Sequence, residues 1–257
     1  MQVILLTDCR IKLEKVIAIL LENGFKIAGV CFGDCKVLGT QKVLCEKYNL
    51  RILERRELFF CCSSVDVIFS YGYTYYIPKE VFSSVQYCIN FHPGLLPNYK
   101  GCYTLYYGMM RNEKEWGVSA HFVNEKFDEG EIILIEKFAL DYEKTGKEIA
   151  QYTWEEVGIR AFRKVVSLIK SNALTEISQK ASIAHVRGGG AYYSRAQLIG
   201  EKLISIKELE SLGSKEIIKR IRAMWFPPHD GLHLELKDGE ELFLVDKKTW
   251  DTIKSKI

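Results

Sequence analysis

Residues 2–33 read "QVILLTDCRIKLEKVIAILLENGFKIAGVCFG", and the spacing of apolar residues changes twice along them. "QVILLT" is a short, nearly uniform apolar run, the pattern of a strand covered on both faces. "KLEKVIAILLENG" repeats apolar residues at spacings of three and four and closes on Gly24, the pattern of an amphipathic helix with a glycine stop. "FKIAGVCFG" returns to the strand pattern. Strand, helix, strand in this order predicts a βαβ unit.

Outward from this unit the alternation continues. "QKVLCEKYN" reads as a helix, "RILER" as a strand, and "VDVIFSYG" and "YCINFH" as two more buried strands. The repetition predicts an α/β fold built on an open, doubly wound, Rossmann-like sheet. After the first strand the chain continues "TDCRIKLEK", with no glycine where a pyrophosphate would approach the backbone. Neither GxGxxG nor GxxxxGK[ST] is present, which disfavours NAD and ATP as ligands.

The 257 residues, 47% of them hydrophobic, suffice for one full core and a smaller second one. Lys+Arg (36) nearly balances Asp+Glu (33), so no dominant nucleic-acid footprint is expected. The first residues lack a basic n-region and a long h-region, and no run approaches the ~18 apolar residues of a membrane span. The expectation is a soluble, cytoplasmic protein with neither membrane nor nucleic acid as partner. Eight cysteines stand at 9, 31, 35, 45, 61, 62, 88 and 102; none forms CxxC and most lie in apolar runs. Buried, reduced thiols are expected, with no metal.

Residues 88–101, "CINFHPGLLPNYKG", place an amide and an imidazole at the end of a strand. Residues two apart in a strand share a face, so Asn90 and His92 point into one crevice. In open α/β sheets that crevice, beyond the carboxyl ends of the strands, is where ligands bind. The Pro93-Gly94 turn then leads the chain away. Further on, "GVSAHFV" and "EIILIEKFAL" read as strands joined by the acidic connection "NEKFDEG", which carries Asp128 and Glu129.

"INFHPGLLPNYKG" followed by "GVSAHFVNEKFDEGEII" resembles the formyltransferases that use N10-formyltetrahydrofolate. Their pattern is Asn-x-His-Pro at a strand end, a "LLP…Y[RK]G" loop and a later Asp in "DxGxI"; the resemblance covers residues 65–135. It implies Asn90, His92 and Asp128 as catalytic residues. Chemistry agrees. A base near neutral pH suits the attacking amine, a neutral amide donor suits the oxyanion, and a carboxylate orients the imidazole. The resemblance also implies a folate pocket from Tyr75, Tyr76 and Ile77 together with Phe122, Val123 and Phe127.

Residues 1–180 are expected to form the catalytic domain and 181–257 a small C-terminal domain. The latter contains "RGGGAYYSRAQL", a helix near 214–224, and "HLELKDGEELFLVD", a hairpin signalled by Asp-Gly. A helix-plus-hairpin appendage resembles the sugar-nucleotide N-formyltransferases, which implies a nucleotide-linked amino-deoxy sugar, a surface-glycan precursor, as acceptor. Arg10, Lys100 and Arg187 are the expected diphosphate contacts, and Tyr192 and Trp225 the expected stacking residues. The hairpin offers a surface for a second copy of the chain. Two alternatives stand beside this reading: a formyltransferase for methionyl-tRNA or glycinamide ribonucleotide, and an inactive folate or nucleotide-sugar binding module. "LPNYKG" departs from the "LPYNRG"-like loop of many sugar-specific relatives.

Overall fold

The computed structural model describes residues 1–8, 11–33, 37, 39–174 and 190–255. Its strand β1 (Gln2–Thr7) sends Val3 and Leu5 into one apolar cluster and Ile4 and Leu6 into another, on opposite faces. This explains why the run is apolar without interruption. Helix α1 (Glu14–Glu22) buries Val16, Ile17, Ile19 and Leu20, and the chain then turns at Gly24 into β2 (Lys26–Cys31). Helix α2 (Gly39–Lys47), the two-residue β3 (Ile52–Leu53), helix α3 (Leu58–Cys61), β4 (Val67–Tyr71), helix α4 (Lys79–Phe82) and β5 (Tyr87–His92) follow.

Seven strands form one sheet in the order β3-β2-β1-β4-β5-β7-β8, with β7 spanning Glu115–Phe122 and β8 Ile132–Ala139. The first five are parallel; β7 and β8 run antiparallel to their neighbours. The sheet is therefore mixed, because β7 and β8 form a hairpin-like pair and need no helical crossover. Helices α1 and α7 (Gly158–Lys170) cover one face, with Phe162, Val165 and Val166 of α7 packed on Phe69 and Phe91. Each such side chain, taken out of water, contributes roughly 1.5–3 kcal/mol.

A third apolar cluster joins Tyr106 and Met109 of helix α5 (Thr104–Met110) and Ile149 of helix α6 (Gly146–Tyr152) to Leu198, Ile221, Met224 and Leu234. The last four belong to the C-terminal part of the chain. That part contains the expected helix, Ser214–Met224, and the expected hairpin, His233–Glu235 with Glu241–Phe243. It also contributes β9 (Ala191–Tyr193), which pairs in parallel with β6 (Tyr99–Gly101). Cys31, Cys45, Cys62 and Cys88 are buried as expected, whereas Cys102 is exposed because it follows β6 at the mouth of the site; Cys9 and Cys35 lie outside the described residues.

Candidate active site

Alternation along β4, β5 and β7 assembles a polar patch on one face of the sheet. In β5, Tyr87, Ile89 and Phe91 enter the first core cluster while Cys88, Asn90 and His92 take the other face. Register places Ser70 of β4 beside Asn90, and His121 and Ser119 of β7 opposite Asn90 and His92. All three neighbours thus share with Asn90 and His92 the face that leads out past the strand ends.

Hydrogen bonds then set each group. Ser70 Oγ donates to Asn90 Oδ1 (2.7 Å), which turns the amide nitrogen toward His121 Nε2 (3.0 Å) and Asp128 Oδ1 (3.5 Å). His121 Nδ1 lies 2.8 Å from the Phe122 carbonyl, so Nδ1 carries the proton and Nε2 accepts from Asn90. The second Asn90 N–H has only the long contact to Asp128, and it is the one free to meet a developing oxyanion.

His92 is 4% exposed, and its shortest partner is the Tyr99 carbonyl, 2.6 Å from Nε2. Nε2 therefore holds the proton of the neutral ring, leaving Nδ1 as the atom that accepts another. Asp128 Oδ2 stands 3.4 Å from Nδ1, ready to stabilise it once charged. The orienting contact expected from Asp128 is thus supplied by a backbone carbonyl. Gly94 makes this geometry available: a Cβ there would stand 2.7 Å from His92 Nε2 and 2.9 Å from the Tyr99 oxygen.

Asp128 sits in the left-handed region at φ +55° and accepts the Gly101 N–H at 2.8 Å. Burial alone would raise its carboxyl; the facing His92 and His121 rings and the Gly101 N–H outweigh burial and hold it at about 2. For His92, burial dominates and pushes the imidazole below its usual value, with His121 adding to the effect and Asp128 and the Tyr99 carbonyl opposing it. The ring is neutral at pH 7, as a base must be.

The remaining expected residues divide. Tyr76, in the connection between β4 and α4, meets Phe127, next to Asp128, edge to face at 5.5 Å, and both rings are exposed. Tyr75 packs on Gly33 with Arg55 over its ring; Ile77 and Val123 pack in the second core cluster and Phe122 against the first. Tyr192, half exposed, lies against Gly101. Lys100 does not face outward: it is 6% exposed and its ammonium pairs with Glu129 at 2.7 Å. Trp225 ends helix Ser214–Met224, its carbonyl accepting the Lys147 N–H of α6. Arg10 and Arg187 lie outside the described residues.

Sequence reading passed over His121, Ser119 and Ser70. The signal was available in "GVSAHFV", where Ser119 and His121 interrupt an apolar strand at spacing two, and in "VDVIFSYG", where Ser70 interrupts one near its end. Ser119 staples the 93–97 turn, donating to the Gly94 carbonyl (2.6 Å) and accepting the Leu96 N–H (3.1 Å). Among the described residues no group of three or more His, Cys, Asp or Glu side chains is arranged to hold a metal, and no helix is long and apolar enough to cross a membrane.

A family model described as formyl transferase matches residues 60–166, which contain the whole patch. Methionyl-tRNA formyltransferase of Ehrlichia ruminantium is 42% identical over 77 residues, 30% of this chain and 25% of that protein. The chain therefore spans well under two thirds of that relative. A 4-N formyltransferase from Francisella tularensis superposes with a TM-score of 0.75 at 20% identity, over 95% of this chain and 96% of that one. A sugar N-formyltransferase from a Shewanella species gives 0.73 at 15% identity over the same shares. HypX from Aquifex aeolicus, in complex with tetrahydrofolic acid, gives 0.58 at 14% identity, over 95% of this chain and 37% of that one. At these identities the likeness establishes the fold.

Proposed function

With a formyl transferase segment at residues 60–166 as the premise, we propose that this chain is an N-formyltransferase that moves the formyl group of N10-formyltetrahydrofolate to the amine of a nucleotide-linked amino-deoxy sugar. The observation that carries the reading is that Asp128 meets both Asn90 (3.5 Å) and His92 (3.4 Å), which share one face at a strand end. The acceptor amine attacks the formyl carbon, whose carbonyl electrons move onto oxygen. Collapse reforms the carbonyl, breaks the bond to N10 and passes a proton there, while the amine nitrogen gives up a proton. Asn90 donates to the oxyanion, His92 takes the proton at Nδ1, and Asp128 stabilises the imidazolium. Tyr76 and Phe127 form an aromatic wall suited to a pterin ring.

The sugar-nucleotide acceptor is supported by neighbours that match nearly end to end, the Shewanella protein among them. Methionyl-tRNA is the second reading, because the sequence match over 77 residues is to that class. Near-neutral charge disfavours it. The experiment compares acceptors at saturating formyl donor. A nucleotide-linked amino-deoxy sugar should react at least 10²-fold better, as a rough measure of remote binding energy, than the same sugar without its nucleotide. Equal rates, or preference for methionyl-tRNA or glycinamide ribonucleotide, would overturn the acceptor assignment and leave formyl transfer standing.

A further inference from the structure

Strand β6 is three residues long: two of them grip His92 and Asp128, and the middle one grips the residue that follows Asp128. Tyr99 gives its carbonyl to His92, Lys100 its ammonium to Glu129, and Gly101 its N–H to Asp128, at 2.6, 2.7 and 2.8 Å. Only the middle grip is made by a side chain. A surface ion pair would contribute little. Lys100, however, is 6% exposed, and a buried ammonium that loses its partner is strongly unfavourable.

The partner of Lys100 is the residue next to Asp128, whose backbone is held at φ +55°. Aspartate tolerates that conformation at a cost and keeps it only where the surroundings over-determine it. Here the carboxylate is tied on one side by Gly101 and the following residue on the other by Lys100; Lys126 reaches Glu129 as well, at a longer 3.6 Å. We propose that Lys100 is a positioning residue for the reaction: through Glu129 it fixes the turn that presents Asp128 to His92. The catalytic consequence rests on the N-formyltransferase reading; the clamp itself rests on geometry alone. Asp128 is faced by His92 from β5, His121 from β7, Cys102 after β6 and Tyr192 from β9, besides the Gly101 N–H.

The test is a carboxyl NMR titration of Asp128 in the wild type and in Lys100→Met, Lys100→Arg and Glu129→Gln, with steady-state kinetics on the same proteins. Charge alone makes opposite predictions for the two neutral variants. Removing Lys100 raises the Asp128 pKa, and removing Glu129 lowers it. Loss of positioning raises it in both. We expect a rise in both, a kcat lowered by about tenfold or more with acceptor KM within twofold, and recovery in Lys100→Arg. A lowered Asp128 pKa in Glu129→Gln overturns the proposal. So does a Lys100→Met enzyme with normal kcat and raised acceptor KM, which would make Lys100 an acceptor contact. If Lys100→Met does not fold, Glu129→Gln decides between the same outcomes. If the wild type formylates no amine, the functional reading fails while the titration still decides the clamp.

Discussion

His92 illustrates how a single side chain acquires a role from what surrounds it. Its protons are placed by a carbonyl on one nitrogen and a carboxylate near the other, and its neutrality comes from burial. In a folded protein, His92→Asn or Asp128→Asn should lower turnover by about 10²-fold or more, measured as kcat at saturating donor and acceptor. Near-normal turnover would remove these residues from the chemistry. A lowered imidazole pKa also has a thermodynamic consequence. The unfolded chain takes up a proton near pH 6.5 and the buried ring resists it, so this contribution is intact above pH 6.5 and lost as pH falls below it. Asp128, depressed from 3.8 to about 2, contributes fully above 3.8 and loses that contribution between 3.8 and 2. Urea midpoints should fall from pH 7.5 to 5.5 and again below 4, and His92→Asn should flatten the first step.

At the scale of the element, β6 is the unusual piece: too short for a stable strand, it is held in place by β9 from the far end of the chain. Gly101 is where the two meet. It adopts φ +90°, and a Cβ added there would stand 2.2 Å from the Tyr193 oxygen. Since its N–H also holds Asp128, Gly101→Ala displaces either β9 or the turn that carries Asp128. Calorimetry should show destabilisation by about 1–3 kcal/mol, and turnover should fall with it. Unchanged turnover in the destabilised protein would show that the Gly101 N–H is dispensable.

For the whole molecule, the decisive feature is the third apolar cluster, which draws side chains from α5 and α6 and from residues beyond 190. An apolar core shared in this way couples the unfolding of the parts that contribute to it. Truncation before residue 190 would leave Tyr106, Met109 and Ile149 without their cover, so point substitutions are the better probe. Met224→Ala, at a site 5% exposed, should cost about 2–5 kcal/mol. The loss should move one cooperative transition, the same by far-UV and near-UV circular dichroism. Two separate transitions would show that the C-terminal residues fold as a unit of their own.

Much of this was legible along the chain because the signals are local. The uniform apolar runs of β1 and β4, the run of β5 with its two polar residues, and the three-and-four spacing of α1 mark strand and helix, and each element's own geometry then specifies which face a side chain takes, whatever the element later meets. Asn90 and His92 share a face for that reason alone, and Asp128 is legible through its motif. The mixed direction of the sheet, the His121 bonded to Asn90 across β5 and β7, and the inward turn of Lys100 to Glu129 were decided only in three dimensions. The Tyr99 carbonyl and the Gly101 N–H lie further out of reach, since every residue type carries a carbonyl and nearly every one an N–H. Residue spacing specifies the direction in which a side chain points; strand pairing between distant segments decides which group it finds there.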